Sequence, residues 1–397
     1  MVKEFKVIYT PTPGGPATPA KKEQLDAIEE IVVEQEVGNT WSARIKIPVC
    51  IAEDGSWDGE NDPNYAEGAR IRVEARIEPG DFVPLIDGTV ADVNRDLNAQ
   101  PGQSSVTIVV NDDIVLLNRA EVPATFTAGT PDSEIAEEIF ATSGVTATST
   151  VDPTDAPRDL AAVTNQHGTA MQMLRTLVSR NPDYVAYVLP GETAGATIGC
   201  FKKLPTATDG LPELYLTGED RNLASFNITQ NSSRAADYTS DHVDTQDVSA
   251  AAGAASYRDS VPPGGEGATR LTEAQARLRR HTRGSGDHVD PAVAAAAASL
   301  QSSYTLSVEG SVLPQCYAAV LTPYRMVSAR LSNSRFSTDY VIYKVTHTLG
   351  RSEYTQSFSL RGNIASPEAS PSASLPAAAA AVGGAAAVSF NIQVDIF

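Results

Sequence analysis

Three cysteines, five histidines and two tryptophans are all that 397 residues supply of the side chains most often used for metal ligation, thiol chemistry and ring stacking. Cys50, Cys200 and Cys316 lie far apart, each in or beside an apolar run. An odd, unpaired set of this kind excludes a disulfide framework and points to reduced thiols and assembly inside a cell. Positive charge is scarce as well. The 30 Lys and Arg against 49 Asp and Glu give a formal net charge of -19, which excludes a general nucleic-acid binder, because phosphate contacts need clustered cations. The balance implies a solvated acidic exterior that repels membranes and DNA backbone alike. Met1–Lys6 has no apolar core of a signal peptide. No run approaches the roughly 20 apolar residues of a membrane span. The Ala-rich stretch 376–388 comes nearest and is short and interrupted by glycine. There is no G-x-S-x-G elbow, H-E-x-x-H, Walker loop or paired C-x-x-C. No catalytic, cofactor-binding or metal residue is assigned, and no enzymatic activity is expected.

What the sequence does contain is alternation. Arg70–Ile77, Leu85–Val93 and Ser105–Asn111 each alternate apolar and polar residues, and Tyr324–Leu331, Tyr340–Leu349 and Glu353–Leu360 repeat the layout. Runs of this period joined by short polar turns predict antiparallel hairpins with one buried face. Residues 3–10, Ile31–Val37 and Trp41–Pro48 add strands to the first set, enough for a small barrel or sandwich. Between the sets, Asp132–Gly144 predicts a short helix with Asp132 as N-cap and Gly144 as stop. A second helix, 168–180, turns Met171, Leu174, Leu177 and Val178 to one side and leads into the strand Tyr184–Leu189. The expected class is α+β, mainly β: two antiparallel β-barrels with a small α/β insertion. The expected divisions are an N-terminal arm and linker (1–24), a first barrel (25–125), the α/β insertion (126–195), a second barrel with a helical insertion (196–363), and an Ala/Ser/Pro linker with a C-terminal strand (364–397). The second barrel is expected to open near Thr197–Lys202. Residues 231–268 read as long loops, Thr272–Arg283 as a basic helix and Pro291–Leu300 as an Ala-rich helix. The alternating segment Ser389–Phe397 cannot be stable alone and should pair with a sheet edge of this chain or a neighbour.

Several features invite a chemical reading. The loop Glu53–Asp62 gathers Glu53, Asp54, Asp58, Glu60 and Asp62, but its spacing misses the EF-hand template, so a solvated loop is expected. Trp57 in that loop is a candidate interface anchor. Gly191–Gly199 is glycine-rich without a phosphate-loop lysine and reads as a hairpin turn. His167, His242, His281, His288 and His347 are scattered. His347 alternates with Val345 and Leu349, as a packed or rim histidine would. Trp41 and Trp57 near acidic residues keep open a carbohydrate-binding or cell-wall-acting β protein, and a symmetric surface or decoration protein is a further alternative.

The order of small motifs resembles the tail hub proteins of contractile phages, the late control protein D family, which is related to the N-terminal part of VgrG spikes. The residues that carry the resemblance are Gly88-Thr-Val90, Arg119, Thr125-Phe126, Asp132-Ser133-Glu134-Ile135, Leu174-Arg-Thr-Leu177, Tyr184-Val185, Val345-Thr-His347 and Tyr354 to Phe358. It spans about residues 25 to 363. It implies a structural baseplate hub: a homotrimer whose two barrels per chain make a pseudo-six-fold ring joining the tail tube to a central spike. Implied partners are a separate spike protein, a tail tube or tube-initiator protein and baseplate wedge proteins, with no direct nucleic-acid binding. The implied location is the virion tail baseplate, assembled in the host cytoplasm.

Overall fold

The computed structural model describes residues 3–363 apart from 101, 122–123, 128, 155–163, 167, 182–183, 232–236, 244–249, 256–278, 282–294, 297, 300–301, 303, 332–333 and 352. The first strand set comprises β1 (Lys3–Thr10), β2 (Thr18–Pro19), β3 (Glu30–Glu36), β4 (Ser42–Pro48), β5 (Arg70–Ile77), β6 (Val83–Asp96) and β7 (Ser105–Asp112), with helix α1 (Lys22–Ala27) before β3. There follow α2 (Ile114–Leu117), β8 (Ala124–Phe126), α3 (Asp132–Ser143), β9 (Thr148–Val151), β10 (Thr164–Gln166), α4 (Ala170–Arg180), β11 (Tyr184–Pro190) and β12 (Thr197–Lys203). The remainder comprises β13 (Leu214–Tyr215), β14 (Leu223–Gln230), β15 (Asp237–Val243), β16 (Ala250–Ala255), β17 (Arg279–His281), β18 (Leu306–Val312), β19 (Met326–Arg330), β20 (Thr338–Gly350) and β21 (Tyr354–Gly362).

The chain is α+β and mainly β, as its alternation implies. The two strand sets stand side by side in one curled sheet of 13 strands. Across the first set the order is β3-β4-β7-β6-β5-β1. Across the second it is β14-β18-β21-β20-β19-β13, the same order strand for strand. Even the bulges correspond, between Val90 and Asp92 in β6 and between Ile342 and Lys344 in β20. The repeat departs at its last pair: β13 runs parallel to β19, whereas β1 runs antiparallel to β5.

Alternation dictates which side chains go inward. Ile31, Ile45, Ile71, Leu85 and Ile108 are sealed in the first core, and Val308, Tyr340, Ile342 and Leu360 in the second. Full burial of such a side chain contributes about 1.5–3 kcal/mol. A third core belongs to the insertion, where α3 and α4 pack on the sheet β11-β12-β9 through Phe140, Leu174, Leu177 and Phe201. Gly199 in β12 lies directly under the Phe140 ring, where a Cβ would collide.

The structure redraws several local expectations. Pro131, not Asp132, is the N-cap of α3. Asp132 begins the helix and accepts a hydrogen bond from Asn181 Nδ2 at 2.9 Å, so its carboxylate serves the end of α4 instead. Gly144 does close α3, in the left-handed region at φ 65°. The strand expected to open the second barrel, β12, pairs with β11 and β9 and belongs to the insertion. Within the expected loops 231–268, β15 and β16 pair antiparallel, because ladder hydrogen bonds need only backbone. Arg279–His281, at the end of the expected basic helix, is the strand β17, drawn into parallel pairing with β15. The rest of that helix and the C-terminal segment 389–397 lie outside the described residues. The described residues 295–296, 298–299 and 302 are helical. No helix among the described residues is long and apolar enough to cross a membrane.

Candidate functional site: a buried seam and an ionic clasp

Polar chemistry concentrates at two junctions inside the fold. The first is the seam where β3 and β20 join the strand sets, from Lys344 opposite Glu36 to Gly350 opposite Glu30. The alternation of β20 turns His347 inward, and that of β3 turns Gln35 inward; both are 0 % exposed. His347 Nε2 lies 3.1 Å from Gln35 Oε1, and its Nδ1 lies 2.9 Å from the Tyr354 hydroxyl. Gln35 Nε2 donates to the Leu85 carbonyl at 2.6 Å, which leaves its Oε1 to accept from the imidazole. The network therefore places the proton on Nε2 and makes Nδ1 the acceptor for Tyr354. Burial pushes the His347 pKa down to about 3, against a weaker opposing hydrogen bond at the Leu321 backbone. Gln356, across from His347 on β21, holds the neighbouring loop by accepting from Leu321 N at 2.8 Å and donating to Ala319 O at 3.0 Å.

The second junction clasps the insertion to the first strand set. Arg70, Arg72 and Glu74 alternate along β5, a pattern that by itself reads as a wet face. The β11–β12 hairpin tip covers it. Asp87 sits at the centre, 1 % exposed. Its Oδ1 accepts from Arg70 Nε at 2.6 Å, and its Oδ2 accepts from Arg72 Nη1 at 3.2 Å and from Gly195 N at 2.9 Å. Arg70 makes a two-pronged pair with Asp113 at 2.9 Å, and Arg72 donates to the Gly191 carbonyl at 2.7 Å and to Glu74 at 2.7 Å. With every charge partnered, the cluster fixes how the hairpin sits. Beside it, the Tyr324 ring stacks on Tyr187 at 3.6 Å and on Trp41 at 6.3 Å, linking second set, insertion and first set. Tyr324 takes the left-handed φ of 64°, and its hydroxyl accepts from Gly38 N at 3.0 Å.

The features singled out from sequence occupy plain structural positions. Asp54 accepts from the Ser56 backbone and hydroxyl, and Asp62 caps the short turn Pro63–Tyr65. Among the described residues no three potential ligands group as a metal site. Trp57, expected as an exposed anchor, is half-buried against the first core with the Arg95 guanidinium 5.9 Å over its ring. Trp41 is 2 % exposed and cannot line an open sugar cleft. The hairpin turn that the composition of Gly191–Gly199 suggested spans Gly191–Ala196, with Gly191 N bonded to Ala196 O at 2.7 Å, and Thr197–Gly199 open β12. His347 is a packed histidine. His167 and His288 fall outside the described residues, while the backbones of His242 and His281 lie in β15 and β17. The motif residues Gly88–Val90 lie in β6, Asp132–Ile135 in α3, Leu174–Leu177 in α4, and Val345–His347 in β20.

No family model and no curated protein sequence matches the chain. Solved structures do. The 43 kDa tail protein of prophage MuSo2 from Shewanella oneidensis aligns with 90 % of this chain and 98 % of its own, at a TM-score of 0.61 and 12 % identity. A tail protein from Neisseria meningitidis MC58 aligns with 91 % and 96 %, at 0.57 and 11 %. Prophage tail protein gp18 from Listeria monocytogenes EGD-e aligns with 90 % and 95 %, at 0.53 and 10 %. The chain thus shares, over nearly its whole length, the fold of these tail proteins.

Proposed function

We propose that the protein is the baseplate hub of a contractile tail. Three copies form a ring of six like units that joins the tail tube, or its initiator, to a separate spike protein and anchors the surrounding wedge proteins. One observation carries this reading: a set of six strands occurs twice per chain in the same order within one sheet. Three such chains offer six near-equivalent units to a six-fold tube. The insertion core follows the first set alone, and β15–β17 lie within the second, so the same ring has three-fold features to offer a spike. The role is mechanical, and no residue is assigned a catalytic task. The test is native mass together with electron-microscope class averages, alone and with purified spike. A three-fold particle with six lobes around a channel is the expected result. A monomer that neither spike nor tube protein assembles would overturn the reading.

A further inference from the structure

Besides the direction of their last pair, the two halves of the repeat differ at their seams: one is filled, and its counterpart carries no described strand. In the second set β20 is shared between two partners. Thr338–Val341 pairs with β19, and Lys344–Gly350, past the bulge, pairs with β3. In the first set β6 is divided at the same place. Val83–Thr89 pairs with β5, and Asp92–Asp96, past its bulge, lies along β7 with no described strand on its other side. At the end of the sheet, β14 holds the position in the second set that β3 holds in the first. It too is paired on one side alone among the described strands, by β18.

The registers make the correspondence specific. Across the second set, Ile342, Leu360, Val308 and Ile228 are successive partners. Across the first set, Val90, Val110, Ala43 and Val33 are the equivalents. In the filled seam Val33 faces His347, five residues beyond Ile342. The counterpart of His347 is therefore Arg95, five residues beyond Val90, and the counterpart of Val33 is Ile228.

We infer that β6 beyond its bulge pairs antiparallel with β14 of a second copy of this chain, Val93 opposite Gln230 and Arg95 opposite Ile228, repeating between chains the seam that β20 and β3 make within one. Backbone phase agrees. Asp112 N donates to Trp41 O at 3.0 Å, which commits the even residues of β7 to β4 and leaves Val93 and Arg95 of β6 facing outward. Asn231 N donates to Thr305 O at 2.8 Å, which commits the odd residues of β14 to β18 and leaves Phe226, Ile228 and Gln230 facing outward. The inferred register sets outward groups against outward groups, and a slip of one residue would not. The described bond at this edge runs from Arg95 Nη1 to Val93 O at 3.2 Å, so an exposed side chain of the same strand occupies that outward carbonyl. Apolar surface agrees as well. Leu97, just past β6, is 47 % exposed and one of two large hydrophobic residues so exposed among the described residues. Continued by two residues, the register sets it opposite Phe226, which is only partly buried.

The inference rests on the ring reading, and one experiment separates their failures. Asn94 and Thr229 are exposed and fall opposite each other at a non-hydrogen-bonded position, where Cα atoms approach to about 4.5 Å and a disulfide can close. The variant N94C/T229C is made with the exposed Cys50 and Cys316 changed to serine. Mild oxidation should give a covalent ladder ending at trimer on non-reducing gels. The offset pair N94C/N227C should cross-link about tenfold more slowly, because diagonal neighbours lie about 7–8 Å apart. A trimer by native mass whose offset pair cross-links as fast, or in which neither pair does, overturns the strand assignment and leaves the ring standing. A monomer throughout, without cross-links, overturns both.

Discussion

His347 and Gln35 meet side chain to side chain, Nε2 to Oε1 at 3.1 Å, across the junction of the two strand sets and 312 residues apart in sequence. Both are sealed from solvent, so the bond forms where an unmade partner would cost about 1–3 kcal/mol. The pair makes the register of the seam polar and specific: a slip of one residue would bury neither side chain against the other.

That burial gives the seam an acid sensitivity. The His347 pKa falls from 6.5 to about 3, so between these values the unfolded chain binds a proton that the folded chain does not. Its contribution is complete above pH 6.5 and is lost as pH drops toward 3, by about 1.4 kcal/mol per pH unit. Urea midpoints between pH 7 and pH 4 should fall accordingly. His347→Leu should be less stable at pH 7 and show a slope smaller by about one proton.

Asp112 should act in the opposite sense. Burial pushes its carboxyl up to about 8, against the pull of hydrogen bonds from Trp41 N and Ile114 N and with a further push from the charge of Asp113. The folded chain then holds a proton that the unfolded chain gives up. Stability from this group is greatest below about pH 4 and is lost as pH rises through 8. Asp112→Asn should flatten the alkaline side of the stability profile, measured by denaturant titration from pH 6 to pH 9.

Removing the centre of the clasp leaves buried cations without their partner. Asp87→Ala should cost about 3–5 kcal/mol, against about 1 kcal/mol or less for removing the exposed partner in the pair Lys46–Glu29. Hydrogen exchange at Gly195 N should speed up first, since that amide is bonded to Asp87.

Gly199→Ala sets a methyl group against the Phe140 ring. Overpacking of this kind costs about 1–3 kcal/mol. Adding Phe140→Leu should recover part of the loss, and a double-mutant cycle with an interaction energy near zero would contradict the contact.

Tyr324→Phe should lose about 1 kcal/mol through its bond with Gly38 N, and Tyr324→Ala about 3–5 kcal/mol through the ring stacked on Tyr187 and Trp41. Thermal melts of the two variants separate the hydroxyl from the ring.

Much of the architecture is carried by local pattern. Two-residue alternation in Arg70–Ile77, Ser105–Asp112 and Tyr340–Leu349 specifies strands and their inward faces, because side chains on a strand alternate sides whatever the partner. Gly144 specifies the end of α3, because it alone there adopts the left-handed φ without steric cost. Which strands become neighbours is a different matter. Alternation shows that Val33 and His347 point inward, yet says nothing of β3 lying beside β20, a pairing between residues some 300 apart made by packing of two cores. The same limit applies to Arg70, Arg72 and Asp87. Their spacing is that of a solvated face, and only the hairpin tip folded over them makes that face a buried ionic cluster. Sequence determined the elements and their apolar sides, through forces that act over a few residues. Tertiary structure decided the seam, the clasp and the open edges, because these depend on surfaces that meet only once the chain has closed on itself.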